Sequence, residues 1–179
     1  MEKKQVCIGV AGAGRATELH MNALKRFCEF PVRFKRIIAR RREQVEKMKE
    51  RFGFEIASFD FNDLLNDPEI DIIDVCTPPY VHEQMVEQAL AAGKHVICEK
   101  PLTGYFGKKG DVEPIGVTVS KVEMYRQTLE VLEHMKKVVD KSDKKFMYAE
   151  NFIYAPAIVK AAEIIQSKKS RILFAKGEE

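Results

Sequence analysis

Short runs rich in Val, Ile and Cys alternate along this chain with longer stretches whose apolar residues return at helical spacing. That alternation constrains the fold more than any other feature. It is the pattern of crossover units, in which a helix carries the chain from each strand back to the start of a parallel neighbour. Strands are predicted at "QVCIGVA" (5–11), "RFKRIIA" (33–39), "EIASF" (55–59), "IDIIDVCT" (70–77), "HVICE" (95–99) and "KKFMYAEN" (144–151). The near-continuous apolar run at 70–77 suits a central strand covered on both faces.

Helices are predicted between them. "RATELHMNALKRF" (15–27) follows the first strand, and "REQVEKMKERFG" (42–53) follows the second with Gly53 as its stop. "FNDLLND" gives a small helix, Pro78 and Pro79 open another that runs to Gly93, and a long one spans Lys121 to about Asp140. The expected architecture is α/β, a doubly wound parallel sheet of the Rossmann type over residues 1–150. The stretch 103–120 holds Gly104, Gly107, Gly110 and Gly116 without a clear period and reads as a long loop. It is expected to be a disordered insertion, because ordering so many glycines is entropically costly, with a lid over the rim of the sheet as the alternative.

Residues 151–179 read differently. "APAIVKAAEIIQS" is helical and "SRILFAKGEE" is a strand candidate with no partner in the chain. An isolated strand is not stable, so the expectation is the start of a second, truncated α/β domain, or a strand paired by a partner subunit.

Composition removes several classes of function. Of the 179 residues 45% are apolar and 32% charged, as in globular chains in water, and no run approaches the roughly 20 apolar residues of a membrane span. No signal-peptide pattern precedes the first strand. A net charge of +3, with its cations dispersed among acids, argues against nucleic acid as a partner. Cys7, Cys76 and Cys98 sit in apolar runs as small hydrophobes, which points to a reducing cytoplasm, and neither the four cysteines nor the four histidines fall at metal-ligand spacing. No metal is expected.

"GVAGAGRATELH" places Gly12, Ala13, Gly14, Arg15 and Ala16 at the turn from the first strand into the first helix. A dinucleotide's pyrophosphate requires such a turn, where backbone N–H groups and the helix N-terminus meet the phosphates with no Cβ between them. Thr17 stands where a third small residue is usual, so the helix is expected to stand off slightly or its hydroxyl to bond a phosphate. After the second strand the chain reads Ala39-Arg40-Arg41-Arg42 where a ribose-binding acid is expected. Arginines suit the 2′-phosphate of NADP, so NADP(H) is the expected cofactor, with NAD(H) possible.

"HVICEKPLTG" ends an apolar strand abruptly with Glu99-Lys100-Pro101, at the edge where open α/β sheets bind ligands. Taken with Gly12-x-Gly14 and His20, and with Thr77-Pro78 and His82, this order of motifs resembles the glucose-fructose oxidoreductase, inositol dehydrogenase and MocA family, whose N-terminal Rossmann domain would cover almost the whole chain. The resemblance implies a dehydrogenase that passes a hydride between a nicotinamide and a secondary alcohol or ketone of a sugar, cyclic polyol or related small molecule. It makes Lys100 the proton-transferring residue, often followed by a cis proline, and places Thr77 and Pro78 on the nicotinamide side. Glu99 is expected to orient Lys100 and His82 to contact the cofactor or to pack in neutral form; the same two readings hold for His20. Tyr148, Glu150 and Asn151 are candidates to meet the substrate or to serve the domain junction. The family's further catalytic Asp and His, its substrate pocket and often its oligomer interface belong to a C-terminal domain, so a homo-oligomer is expected for a full-length form. A non-catalytic NAD(P)-binding regulator of the same fold is the alternative.

Overall fold

The computed structural model describes residues 5–176. It divides into two compact units, one running to Ala149 and the other from Glu150.

The first unit is a six-stranded sheet: β1 (Val6–Ala11), β2 (Val32–Ile38), β3 (Ile56–Ser58), β4 (Ile72–Val75), β5 (His95–Glu99) and β6 (Phe146–Ala149). The spatial order is β3-β2-β1-β4-β5-β6, and every pairing is parallel. The order reverses direction between β1 and β4, which opens a crevice beyond their C-terminal ends. Connecting helices are α1 (Arg15–Phe27), α2 (Arg42–Phe52), the one-turn α3 (Asn62–Leu65), α4 (His82–Ala91), α5 (Ile115–Thr118) and α6 (Lys121–Lys141).

Strand alternation divides the core in two. On β1, Ile8 and Val10 join Met21 of α1, Val45, Met48 and Phe52 of α2, and Phe34 and Ile37 of β2. Cys7 and Ala11 join the other layer, with Leu64, Ile73, Val75, Val86 and Leu90 of α4, Val96, Cys98 and Met135 of α6. Successive strand side chains point to opposite faces, so one strand serves both layers and a doubly wound sandwich results. Gly53 ends α2 as expected, in the left-handed region at φ 77°, its N–H on the Lys49 carbonyl at 2.8 Å.

Two expectations for the stretch 78–120 are corrected. Pro79 opens a short 3-10 turn, Pro79–Val81, ahead of α4 instead of the helix itself. The segment 103–120 is folded on itself: Asp111 accepts from the Tyr105 hydroxyl and, at 2.8 Å, from the Lys108 N–H, Thr118 bonds the Val112 carbonyl, and α5 forms within it. These bonds offset the glycine entropy. Phe106 packs edge-on against Tyr80 with ring centroids 6.3 Å apart.

The second unit holds a 3-10 turn, Phe152–Tyr154, and α7 (Pro156–Ser167), with Pro156 at its first position. The strand expected at 170–179 does not form over the described part, 170–176, and residues 177–179 lie outside the described residues. Without a neighbouring strand its backbone has no ladder to join.

Candidate functional site

The turn between β1 and α1 lies over the end of β4. Gly12 has φ 114°, and a Cβ on it would meet the Cys76 carbonyl oxygen at 2.4 Å, so both its conformation and its neighbour require glycine. Gly12 N–H reaches across to the Ile38 carbonyl at 2.8 Å, and Cys76 N–H donates to Ala11 at 2.7 Å, so the ends of three strands are tied at this point. Gly14, before the first residue of α1, is the reverse case: a Cβ there would meet nothing within 4 Å. The space in front of the helix N-terminus is open, and its free N–H groups face that space without a side-chain cap.

A groove of about 690 Å³ occupies this place. Gly12, Ala13, Gly14, Arg15 and Ala16 form one wall, Ala39, Arg40, Arg41 and Gln44 another, and Thr77, Pro78, Val81 and Met85 a third, with Phe59 and Phe61 at the side. Residues far apart in the chain converge because β2, β1 and β4 end together at the sheet's C-terminal edge. The expected glycine-turn, arginine and Thr-Pro residues therefore share one cavity.

Thr17 fulfils neither expectation. Its side chain is fully buried, α1 packs closely, and Oγ1 donates to the Gly12 carbonyl at 2.9 Å, so the hydroxyl closes the turn instead of facing a phosphate. The arginines are distinguished by their partners. Arg33, Arg36, Arg51 and Arg126 pair with carboxylates, whereas Arg40 and Arg41 have no such partner among the described residues. Arg41 precedes α2 as its cap residue with no cap bond, where a cation opposes the helix dipole. Arg42 instead lies over Phe59, 4.5 Å from the ring centre.

His82, Glu99 and Lys100 do not line the groove; they build the adjoining end of β5. His82 is fully buried, its Nε2 2.7 Å from the Thr77 carbonyl and its Nδ1 2.9 Å from the Pro101 carbonyl, so its ring sits between the segment that follows β4 and the residue after Lys100. The Lys100–Pro101 peptide is cis. Lys100 is exposed, and its ammonium has no partner among the described residues. Tyr148 is on β6, while Glu150 and Asn151 belong to the second unit, where Glu150 accepts the Phe152 N–H.

Sequence spacing missed one cluster. His20 of α1 meets the fully buried Asp74 of β4, Nδ1 lying 2.9 Å from Oδ2, and its Nε2 is 3.3 Å from Glu99 Oε1. Hydrogen bonding to Asp74 raises the His20 pKa above its ordinary value, against burial, with further help from the charges of Asp74 and Glu99. Burial pushes the Cys98 thiol up to about 12 and raises the neighbouring Cys76 further, so both stay protonated.

A glycine turn at the switch point of a parallel sheet, opening onto a groove beside a helix N-terminus, defines a dinucleotide-binding Rossmann domain. The family described as "Oxidoreductase family, NAD-binding Rossmann fold" (GFO_IDH_MocA) matches residues 6–109, and the chain belongs to it. It is 37% identical over 99 residues to levoglucosan dehydrogenase of Pseudarthrobacter phenanthrenivorans, covering 53% of this chain and 25% of that protein. It is 36% identical over 96 residues to myo-inositol 2-dehydrogenase of Thermotoga maritima, covering 54% of this chain and 28% of that one. The fold is shared with scyllo-inositol dehydrogenase from Lactobacillus casei, solved with NAD(H) and scyllo-inositol, at TM-score 0.74 and 22% identity over 93% of this chain and 42% of the other. The chain spans less than half the length of these relatives. No helix among the described residues is long and apolar enough to cross a membrane.

Proposed function

We propose that the chain is the cofactor-binding part of an NADP(H)-preferring dehydrogenase acting on a secondary alcohol or ketone of a sugar, cyclic polyol or similar small molecule. The observation that carries this reading is the groove itself: an open helix N-terminus at Gly14 and two arginines with no carboxylate partner among the described residues in one cavity, with Lys100 just past the end of the next strand. A nicotinamide cofactor, when bound, supplies hydride acceptance or donation.

The residues of the chain do the rest. N–H groups at Gly14, Arg15 and Ala16 hold the pyrophosphate, and the missing side chain at Gly14 lets it approach. Arg40 and Arg41 hold the ribose 2′-phosphate; what supports this is that neither has a carboxylate partner among the described residues, and that Ala39 stands in place of a ribose-binding acid. Thr77 and Pro78 line the nicotinamide end. Lys100 takes the hydroxyl proton as the alcohol is oxidised and returns it on reduction, its exposed amine free to meet a substrate. The named activities of the levoglucosan and inositol dehydrogenases support the sugar or cyclic polyol class. A longer form is a cytoplasmic homo-oligomer in this reading, in keeping with the four free cysteines of this chain.

Titration of the 179-residue chain with NADPH and NADH in parallel, followed by nicotinamide fluorescence, tests it. Tighter NADPH binding that Arg40→Asp reverses is expected. A folded chain that binds neither cofactor overturns the reading.

A further inference from the structure

Lys100 follows the last residue of β5, and that residue's own side chain turns back on it: the Lys100 N–H donates to Glu99 Oε2 at 2.7 Å. The other carboxylate oxygen, Oε1, lies 3.3 Å from His20 Nε2. The opposite ring nitrogen of His20 is 2.9 Å from Oδ2 and 3.1 Å from Oδ1 of Asp74, a carboxylate with no exposure to solvent. A carboxylate can only accept, so with one on each side the His20 ring can donate to both only when both of its nitrogens carry protons. Asp74, His20, Glu99 and Lys100 thus form a single relay, with hydrogen bonds at its two ends and a 3.3 Å ion-pair contact between His20 and Glu99, that reaches the Lys100 backbone.

The carbonyl of Pro101 is already held by the buried His82. The Glu99 carboxylate is therefore the adjustable joint beside Lys100, and His20 is what holds it. We propose that His20 is a positioning residue for Lys100, anchored by Asp74 and acting through Glu99, so that loss of the His20 proton releases Glu99 and with it the Lys100 main chain.

The groups facing His20 fit this role better than a metal site. They are Asp74 and Cys76 of the β4 end and Glu99 of β5. One atom each from His20, Asp74 and Cys76 lie within 4.8 Å of one another. A metal would need a thiolate, yet burial and the adjacent Asp74 keep the Cys76 thiol protonated. Its Sγ lies 3.5 Å from Asp74 Oδ1 as a donor, which adds a bond to the buried carboxylate. With the buried Asp74 carboxylate on one side and Glu99 on the other, both ring nitrogens face acceptors, and loss of the second ring proton leaves one of these contacts without a donor.

The catalytic meaning of Lys100 rests on the dehydrogenase reading above, but the relay does not, and the two are tested separately. The chain is labelled with 15N-lysine, and the Lys100 amide is identified as the signal missing in Lys100→Arg. A charge-assisted bond places the Lys100 amide proton downfield, and its shift is expected to titrate with a midpoint above 6.5, the ordinary histidine value. In His20→Gln, which can still donate to Glu99 but does not titrate, the downfield position is kept and the inflection is lost. In His20→Ala the downfield shift itself is lost while the other lysine amides keep their dispersion. If His20→Ala does not fold, the Gln variant alone decides. A Lys100 amide that does not respond to pH between 5 and 9, or titrates unchanged in His20→Gln, overturns the proposal. Binding of NADH or NADPH by the wild-type chain is scored apart, so failure of the cofactor reading leaves the positioning result intact.

Discussion

Thr17, whose side chain is fully buried, donates its hydroxyl to the carbonyl oxygen of Gly12 at 2.9 Å. The bond joins the first turn of α1 to the turn that precedes it, and it explains how a β-branched residue is accommodated where a smaller one is usual. Thr17→Val keeps the shape and removes the donor, leaving a buried carbonyl unsatisfied. A loss of about 1–3 kcal/mol is expected in urea unfolding, with Thr17→Ser retaining most of the stability.

Gly12 and Gly14 differ in what an added methyl group would meet. Gly12→Ala forces a positive φ on alanine and drives Cβ into the Cys76 carbonyl, so a loss beyond the usual ~1–3 kcal/mol of backbone strain is expected. Gly14→Ala meets open space, so thermal stability is kept while the methyl enters the cradle and cofactor affinity falls. Melting curves and cofactor titrations of the two variants separate the structural glycine from the ligand-facing one.

The pairing of His20 with Asp74 makes stability depend on pH. Because the folded-state pKa is raised, the contribution is fully present below about pH 6.5 and is lost as pH rises through the folded value. The chain is expected to melt at a higher temperature at pH 6 than at pH 8.5. That part of the difference disappears in His20→Gln, and equal slopes for both proteins would count against the ion pair.

Arg40 and Arg41 line the groove with no carboxylate partner among the described residues, so added salt is expected to compete directly with a phosphate bound there. NADPH affinity is expected to fall more steeply than NADH affinity between 50 mM and 200 mM salt, about the range over which the Debye length drops below 10 Å. Parallel slopes would remove the arginines from phosphate recognition.

Met135 is the fully buried residue of α6 and lies against the β4–β5 face, whereas Tyr125 on the same helix is 69% exposed. Met135→Ala is expected to cost about 2–5 kcal/mol in chemical unfolding and Tyr125→Ala far less.

The local periods in the chain carried much of the fold. The helix expected from Lys121 to about Asp140 forms over Lys121–Lys141, and "HVICE" is β5 residue for residue. Both signals arise within a few residues, where apolar spacing and strand composition act directly. The segment 103–120 resisted because its order depends on Asp111, whose bonds to Tyr105 and Lys108 leave no periodic trace. Residues 170–176 failed as a strand for the opposite reason: their composition suits one, but a strand exists only with a neighbour.

Composition and order by themselves determined that this chain builds alternating strands and helices, turns on glycine after its first strand, and ends its fifth strand on Glu99 and Lys100. Those properties are written in neighbouring residues. Only the tertiary structure decided that His20 meets Asp74, 54 positions away, and reaches Glu99 beyond it, or that Arg40 shares a groove with Thr77. Such meetings follow from the spatial order of parallel strands and the packing of α1 over them, and no spacing along the chain encodes which strand ends will be neighbours.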